Sequence, residues 1–280
     1  MARRWTQAFA LGKDPWDPTH RFETSWLLPP YVLFAFRALF ALYALVAELF
    51  IIGWYCGHAA LGGCAQARDE FSYFTVLTYW GLGFYFLVSA LHTLTYARTG
   101  TPLLARLPRP LQALHSLYYT TVVVYPFVVT IVYWARLYSG AWFPTAFLAW
   151  SNLSQHALNS LLALFELLVP RTNPPPAIHA LWLVLLLALY LALAYLTRAT
   201  KGFYVYSFLD PATSGRGAVA GYVFGIAAGC LVVFLFARGA IALRRWLTEE
   251  KMRLRGRFAS HDPATERLLD APRDLEMFGK

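Results

Sequence analysis

The stretch FPTAFLAWSNLSQHALNSLLALFELL, residues 143–168, decides the fold. It is long enough to cross the hydrocarbon core of a bilayer as a helix, which takes about 20 residues. Its apolar run is nevertheless interrupted by Asn152, His156, Asn159 and Glu166. Spacings of four, three and seven residues put all four side chains on one face of a regular helix. Ionisable groups at that depth are costly, face a bundle interior or a wet cavity, and mark a functional site. The activity of this chain is therefore expected inside a membrane.

The residues on either side support that setting. The 280-residue chain is 58% apolar, 17% aromatic and only 14% charged, whereas charged residues make up about a quarter of a soluble domain. Folded in water, it would have almost no polar cover for its apolar surface. Six apolar runs reach membrane-spanning length, at 31–54, 71–96, 114–138, 143–168, 177–196 and 219–243. Pro29 and Pro30, Pro108 and Pro110, and the prolines at 174–176 punctuate three entrances, as suits a residue tolerated in a first helical turn and disfavoured further in. Pro126 lies inside the third run and predicts a kink there. The first run starts too late and runs too long for a cleaved signal peptide, whose apolar region is about 7–15 residues, and is expected to stay as an anchor. The predicted fold is all-α, a single polytopic membrane domain over 1–280. A six-helix transmembrane bundle at 29–243 sits between an N-terminal tail at 1–28 and a basic C-terminal tail at 244–280.

Lysine and arginine near helix ends set orientation. Arg3, Arg4, Lys13 and Arg21, then Arg98, Arg106 and Arg109, then the basic run from Arg244 to Arg257 share one side of a six-span topology. Both termini are accordingly expected in the cytoplasm, with the bundle in the endomembrane system or plasma membrane. Arg198, Lys201 and Arg216 in the fifth loop oppose that assignment. Much of the net charge of +9 sits beside the last span, where each basic residue gains roughly 1 kcal/mol from an anionic leaflet. No nucleic-acid motif accompanies it, so membrane lipids are the expected partners and nucleic acid is not. Cys56 and Cys64 flank a short loop on the predicted non-cytoplasmic side, where they form either a disulfide or two free thiols. Cys230 reads as a small apolar residue within a span.

The second run carries a polar line of its own, Thr75, Thr78, Tyr85, Ser89, His92 and Tyr96, at helical spacing. Such residues commonly bond their own backbone or join neighbouring helices. His156 has Asn152 and Asn159 a turn away on either side; it is either a general base near neutral pH or a structural histidine in a helix-to-helix network. Glu166 is expected to pair with a basic residue such as Arg171 or to stay at the interface, and Arg37 to snorkel to the cytoplasmic face. Asn152 opens an Asn-Leu-Ser triplet, but a glycosylation site requires a surface loop, not a span.

Val76-Leu77-Thr78-Tyr79, Trp150-Ser151-Asn152 with His156 and Glu166 beyond it, and Val205-Tyr206-Ser207-Phe208-Leu209 together resemble the androgen-induced, ADTRP-type family of six-span membrane proteins. Leu153 stands where that family has the first histidine of an Asn-His-x-x-His pattern. Thr130-Ile131-Val132-Tyr133-Trp134 and His156-Ala157-Leu158-Asn159-Ser160 are also similar to rolling-stone membrane proteins. The first resemblance implies an intramembrane lipid-ester hydrolase, with fatty-acid esters of hydroxy fatty acids as a substrate class, no cofactor and no metal. It implies Thr78 as nucleophile and His156 as the histidine that activates it, with Asn152 or Asn159 orienting the ring or stabilising the oxyanion and Glu166 in the supporting network. Thr78 lies seven residues beyond the start of its run and His156 thirteen beyond the start of its own. At 1.5 Å per residue that leaves an axial offset of roughly 9 Å for tilt to absorb. Two alternatives remain: a non-enzymatic lipid-binding or cell-contact protein, and a metal-dependent hydrolase using His92, His115 and His156.

Overall fold

The computed structural model describes residues 17–254, and the regular secondary structure within them is all helical, without a strand. The elements are α1 (Pro30–Gly57), α2 (Gly63–Glu70), α3 (Phe74–Thr99), α4 (Arg109–Val122), α5 (Tyr125–Val132), α6 (Ala146–Leu153), α7 (Asn159–Leu168), α8 (His179–Lys201) and α9 (Arg216–Arg245), with single turns at Leu103–Arg106 and Pro211–Ser214. Wider π turns extend α5 over Tyr133–Leu137, join α6 to α7 over Ser154–Leu158 and extend α9 over Trp246–Lys251. The outer parts of both tails, with Arg3, Arg4, Lys13 and Arg257, lie outside the described residues.

Among the described residues five helical units are long and apolar enough to cross a membrane: α1, α3, the α4–α5 unit Arg109–Leu137, α8, and α9 with its π turn. The protein is thus a polytopic membrane bundle by length and composition. The fourth predicted run is helical from Ala146 to Leu168 but is not among the five. The polar residues that mark it also lower its apolarity, and it turns them inward: Ser151, Ser154, Gln155, His156, Asn159 and Glu166 are buried, while Leu161 is 60% exposed.

Prolines and small residues explain much of the geometry. The α4–α5 unit breaks at Val123 and Val124, and Pro126 falls in the first turn of α5, where its missing N–H costs nothing. α1 and α3 pack closely because Ala41, Ala44 and Ala47 offer a small-residue face. At Gly83 an added Cβ would stand 2.9 Å from a Leu45 methyl and 3.3 Å from the Ala44 Cβ, so a larger residue there would make the Leu45 side chain shift. At one end of the bundle the segment before α1 meets the segments after α7 and α9: Ser25 bridges to Pro170, and Arg21 forms an ion pair with Glu249. At the other, Lys201 pairs with Asp69 at 2.8 Å, and a disulfide joins Cys56 at the end of α1 to Cys64 in α2. Exposed Leu39, Leu42, Leu49, Leu189, Phe224 and Phe236 form part of an apolar outer surface, as lipid requires.

Candidate functional site

The four polar residues of 143–168 do not form one line. The π turn at Ser154–Leu158 inserts an extra residue into the helical repeat and rotates α7 relative to α6, so the regular-helix spacing fails in its middle. Asn152 and His156 stay together, while Asn159 and Glu166 go to different neighbours.

His156 is 8% exposed and lies flat against Tyr133, with ring centroids 3.6 Å apart. Its Nδ1 is 3.0 Å from the Asn152 carbonyl. A carbonyl only accepts, so Nδ1 carries the proton and Nε2 of the neutral ring has the lone pair. The indole of Trp134 donates to the His156 carbonyl at 2.9 Å, and Tyr133 donates to the Asn152 side-chain oxygen at 2.8 Å, fixing the π turn against the end of α5. Next to it, Gln155 donates to Glu48 of α1 at 2.8 Å.

His156, Asn152, Gln155, Tyr133, Tyr206 and Thr75 line one cavity of about 300 Å³, with Glu70 of α2 also in its wall. Burial holds the Glu70 carboxyl above the usual carboxylate range, and Asp69 adds to this, against a 2.6 Å hydrogen bond from Gln66. A second cavity, about 280 Å³, opens between α5, α8 and α9 and is walled by Val128, Val132, Leu187, Leu191, Ile226 and Phe224. The two share Thr75, Tyr133, Leu137 and Tyr206. Phe224 is 74% exposed, so the apolar cavity reaches the outer, lipid-facing surface. A polar chamber therefore adjoins an apolar slot, each near the lower end of the roughly 300–1,000 Å³ typical of small-molecule sites.

Thr78 lies elsewhere. It lines a third cavity, with Leu77, Gly81, Thr121 and Leu189, that does not include His156. Its hydroxyl is directed to the Phe74 and Thr75 carbonyls at 2.9 and 3.0 Å. Asn159 joins α7 to α5 instead of facing the chamber: its Oδ1 accepts from Thr130 at 3.1 Å and its Nδ2 donates to the Pro126 carbonyl at 3.3 Å.

Glu166 sits towards the other end of the bundle and pairs with Arg37, not with Arg171. Glu166 thus has a basic partner as expected, but the partner is Arg37, which is 1% exposed and does not snorkel. Its guanidinium also donates to the Phe22 carbonyl at 2.7 Å and the Thr93 hydroxyl at 2.6 Å, and Tyr85 donates to Glu166 at 2.8 Å. Arg171 donates to Thr24 at 3.2 Å, and burial pushes it down to about 10. His92 and His115 contact each other, ring centroids 5.1 Å apart, away from the chamber that holds His156. Among the described residues no three histidine, cysteine or acidic side chains come together as a metal site.

The sequence pattern alone passes over Glu48, 1% exposed and the hydrogen-bond partner of Gln155. A signal exists: it is the lone acidic residue within α1, and an acid inside a span calls for a partner. Tyr133 and Tyr206 enter the sequence reading only as parts of resemblance motifs, because nothing in their spacing places them across from His156. Comparison of the chain with known proteins finds no family model, no curated protein and no solved structure that matches it.

Proposed function

We propose that this protein is a six-span intramembrane hydrolase of lipid esters, with His156 as its general base. The observation that carries the reading is the shared wall between the polar chamber and the lipid-facing slot. An ester with a hydrocarbon chain on one side and a polar group on the other fits that division. The chain enters from the bilayer past Phe224, and the carbonyl stops at the boundary, beside Thr75, Tyr133 and Tyr206. There His156 Nε2, its tautomer set by the Asn152 carbonyl, takes the proton of the attacking hydroxyl and returns it to the leaving alcohol. Fatty-acid esters of hydroxy fatty acids, the class implied by the family resemblance, have this form.

Both tails are assigned to the cytoplasm by the basic clusters, and Ala146–Leu168 is assigned as the sixth span. The test is purified protein challenged with a serine/threonine-hydrolase probe of the fluorophosphonate type and with a panel of lipid esters. Labelling and turnover are expected, and His156→Ala should reduce both by roughly a hundredfold or more. One observation favours a second reading: among the described residues no side-chain hydroxyl is hydrogen-bonded to the His156 ring. The same chamber would then hold a lipid without turnover. Folded wild-type protein that binds lipid esters but shows neither labelling nor turnover would establish that reading.

A further inference from the structure

Resting on the hydrolase reading, we propose that the nucleophile is Thr75, and that the fatty-acyl chain of the ester occupies the slot between α5, α8 and α9. Thr75 and Thr78 lie one turn apart, but their hydroxyls have different surroundings. Thr78 is deep enough in α3 to bond carbonyls of the preceding turn, as threonine in a helix commonly does, and it takes two of them. Thr75 is the second residue of α3, so the residue four positions before it, Phe71, lies outside the helix and offers no helical carbonyl. The Thr75 side chain instead sits where the chamber of His156 meets the apolar slot. The Thr75 hydroxyl and N–H are both hydrogen-bonded to the Tyr206 hydroxyl, which also accepts the Phe74 N–H at 3.1 Å, so Tyr206 holds the Thr75 hydroxyl at that boundary until substrate enters.

Position in the first turn has a second consequence. The N–H groups at the start of a helix lack intrahelical acceptors, and the helix dipole is positive there. An oxyanion formed on a carbonyl attacked by Thr75 develops next to the first turn of a 26-residue helix, at the positive end of its dipole and beside the Tyr206 hydroxyl that takes the Phe74 N–H. An attack by Thr78 gains nothing comparable.

The steps balance as ordinary acyl transfer. Thr75 Oγ1 bonds to the ester carbonyl carbon as its proton passes to His156 Nε2. The tetrahedral intermediate then breaks its bond to the alkoxy oxygen, which leaves with that proton as the free alcohol. Water attacks the threonyl ester, giving one proton to His156; the bond from carbon to Oγ1 breaks, Oγ1 regains the proton, and the fatty acid departs. The net change is ester plus water to acid plus alcohol.

Because an alkyl fluorophosphonate forms a stable adduct at an activated hydroxyl, it locates the nucleophile directly. Full-length protein in detergent micelles is treated with a long-chain alkyl fluorophosphonate, and the adduct is placed by fragment-ion mass spectrometry, while lipid-ester turnover is followed in parallel. The adduct is expected on Thr75. Thr75→Val should abolish it and lower turnover by roughly a thousandfold or more, Thr75→Ser should restore both in part, and Thr78→Ala should keep the adduct. Filling the slot with Ala227→Phe should lower turnover of long-chain esters more than of acetyl esters. An adduct on Thr78, or turnover unaffected by Thr75→Val, would overturn this assignment and leave the hydrolase reading standing. Absence of any adduct or turnover in folded wild-type protein would remove the hydrolase reading itself.

Discussion

Arg37 and Glu166 are 129 positions apart in sequence and among the least exposed side chains of the bundle, at 1% and 0%. Each charge is costly alone in such surroundings, and the pair holds because Phe22, Thr93 and Tyr85 complete its hydrogen bonds. Removing one partner strands the other. Arg37→Met and Glu166→Leu are each expected to cost about 3–5 kcal/mol, read as a lower unfolding midpoint in detergent. The double change Arg37→Met with Glu166→Leu should recover part of that loss, as couplings of this kind do. If the double variant is as unstable as the sum of the two singles, the pair is not coupled. The sequence shows that Glu166 needs a partner, because an acid in an apolar run always does. It does not show which one. Arg171 is close in chain position and Arg37 is close in space, and only the packing of α1 against α7 distinguishes them.

The helices themselves are readable from apolar run length, and the break at Pro126 from the missing N–H, because both are local effects. The π turn at Ser154–Leu158 is not, since nothing in Ser-Gln-His-Ala-Leu opposes a regular helix. Its extra residue turns the Gln155 and His156 side chains to where Glu48 and Tyr133 can meet them, so it results from tertiary contacts. This is why helical spacing groups Asn152 with His156 correctly and fails for Asn159 and Glu166. The disulfide of Cys56 and Cys64 works at the same scale, tying α2 back to the end of α1 over a separation of 8 residues. α2 contributes Glu70 to the chamber wall. Closing so short a loop in the unfolded chain stabilises the fold by about 2–3 kcal/mol on the chain-entropy account. Cys56→Ser with Cys64→Ser should lower the unfolding midpoint accordingly, and peptide mapping without reduction should recover the linked peptide from wild-type protein. Free, alkylatable thiols at both positions in freshly prepared membranes would exclude the bond.

At the scale of the whole molecule, the question is whether Ala146–Leu168 crosses the bilayer. By composition alone it falls short of the other five units, but a helix whose polar face is buried against protein needs an apolar exterior only on its outer face, where Leu161 is exposed. Its inward face is satisfied by α1, α3 and α5: Tyr43 meets Ser154 at 2.7 Å, Glu48 meets Gln155, Tyr133 meets Asn152, and Arg37 with Tyr85 meets Glu166. The polar residues that make it a poor span in isolation are therefore met by partners inside the bundle. Gly140, before the helix, and Asn173, after it, are both exposed and should lie on opposite sides of the membrane. The native cysteines give little background, two being bonded and Cys230 buried. In sealed, uniformly oriented membrane vesicles a membrane-impermeant maleimide is expected to label either Gly140→Cys alone or Asn173→Cys and Arg253→Cys together, and the rest only once the membrane is opened. Labelling of Gly140→Cys and Asn173→Cys from the same side would make Ala146–Leu168 a re-entrant helix and reduce the span count to five. The two tails would then lie on opposite faces, and the contacts of Ser25 with Pro170 and Arg21 with Glu249, which bring both tails to one end of the bundle, would have no place in the membrane-bound protein.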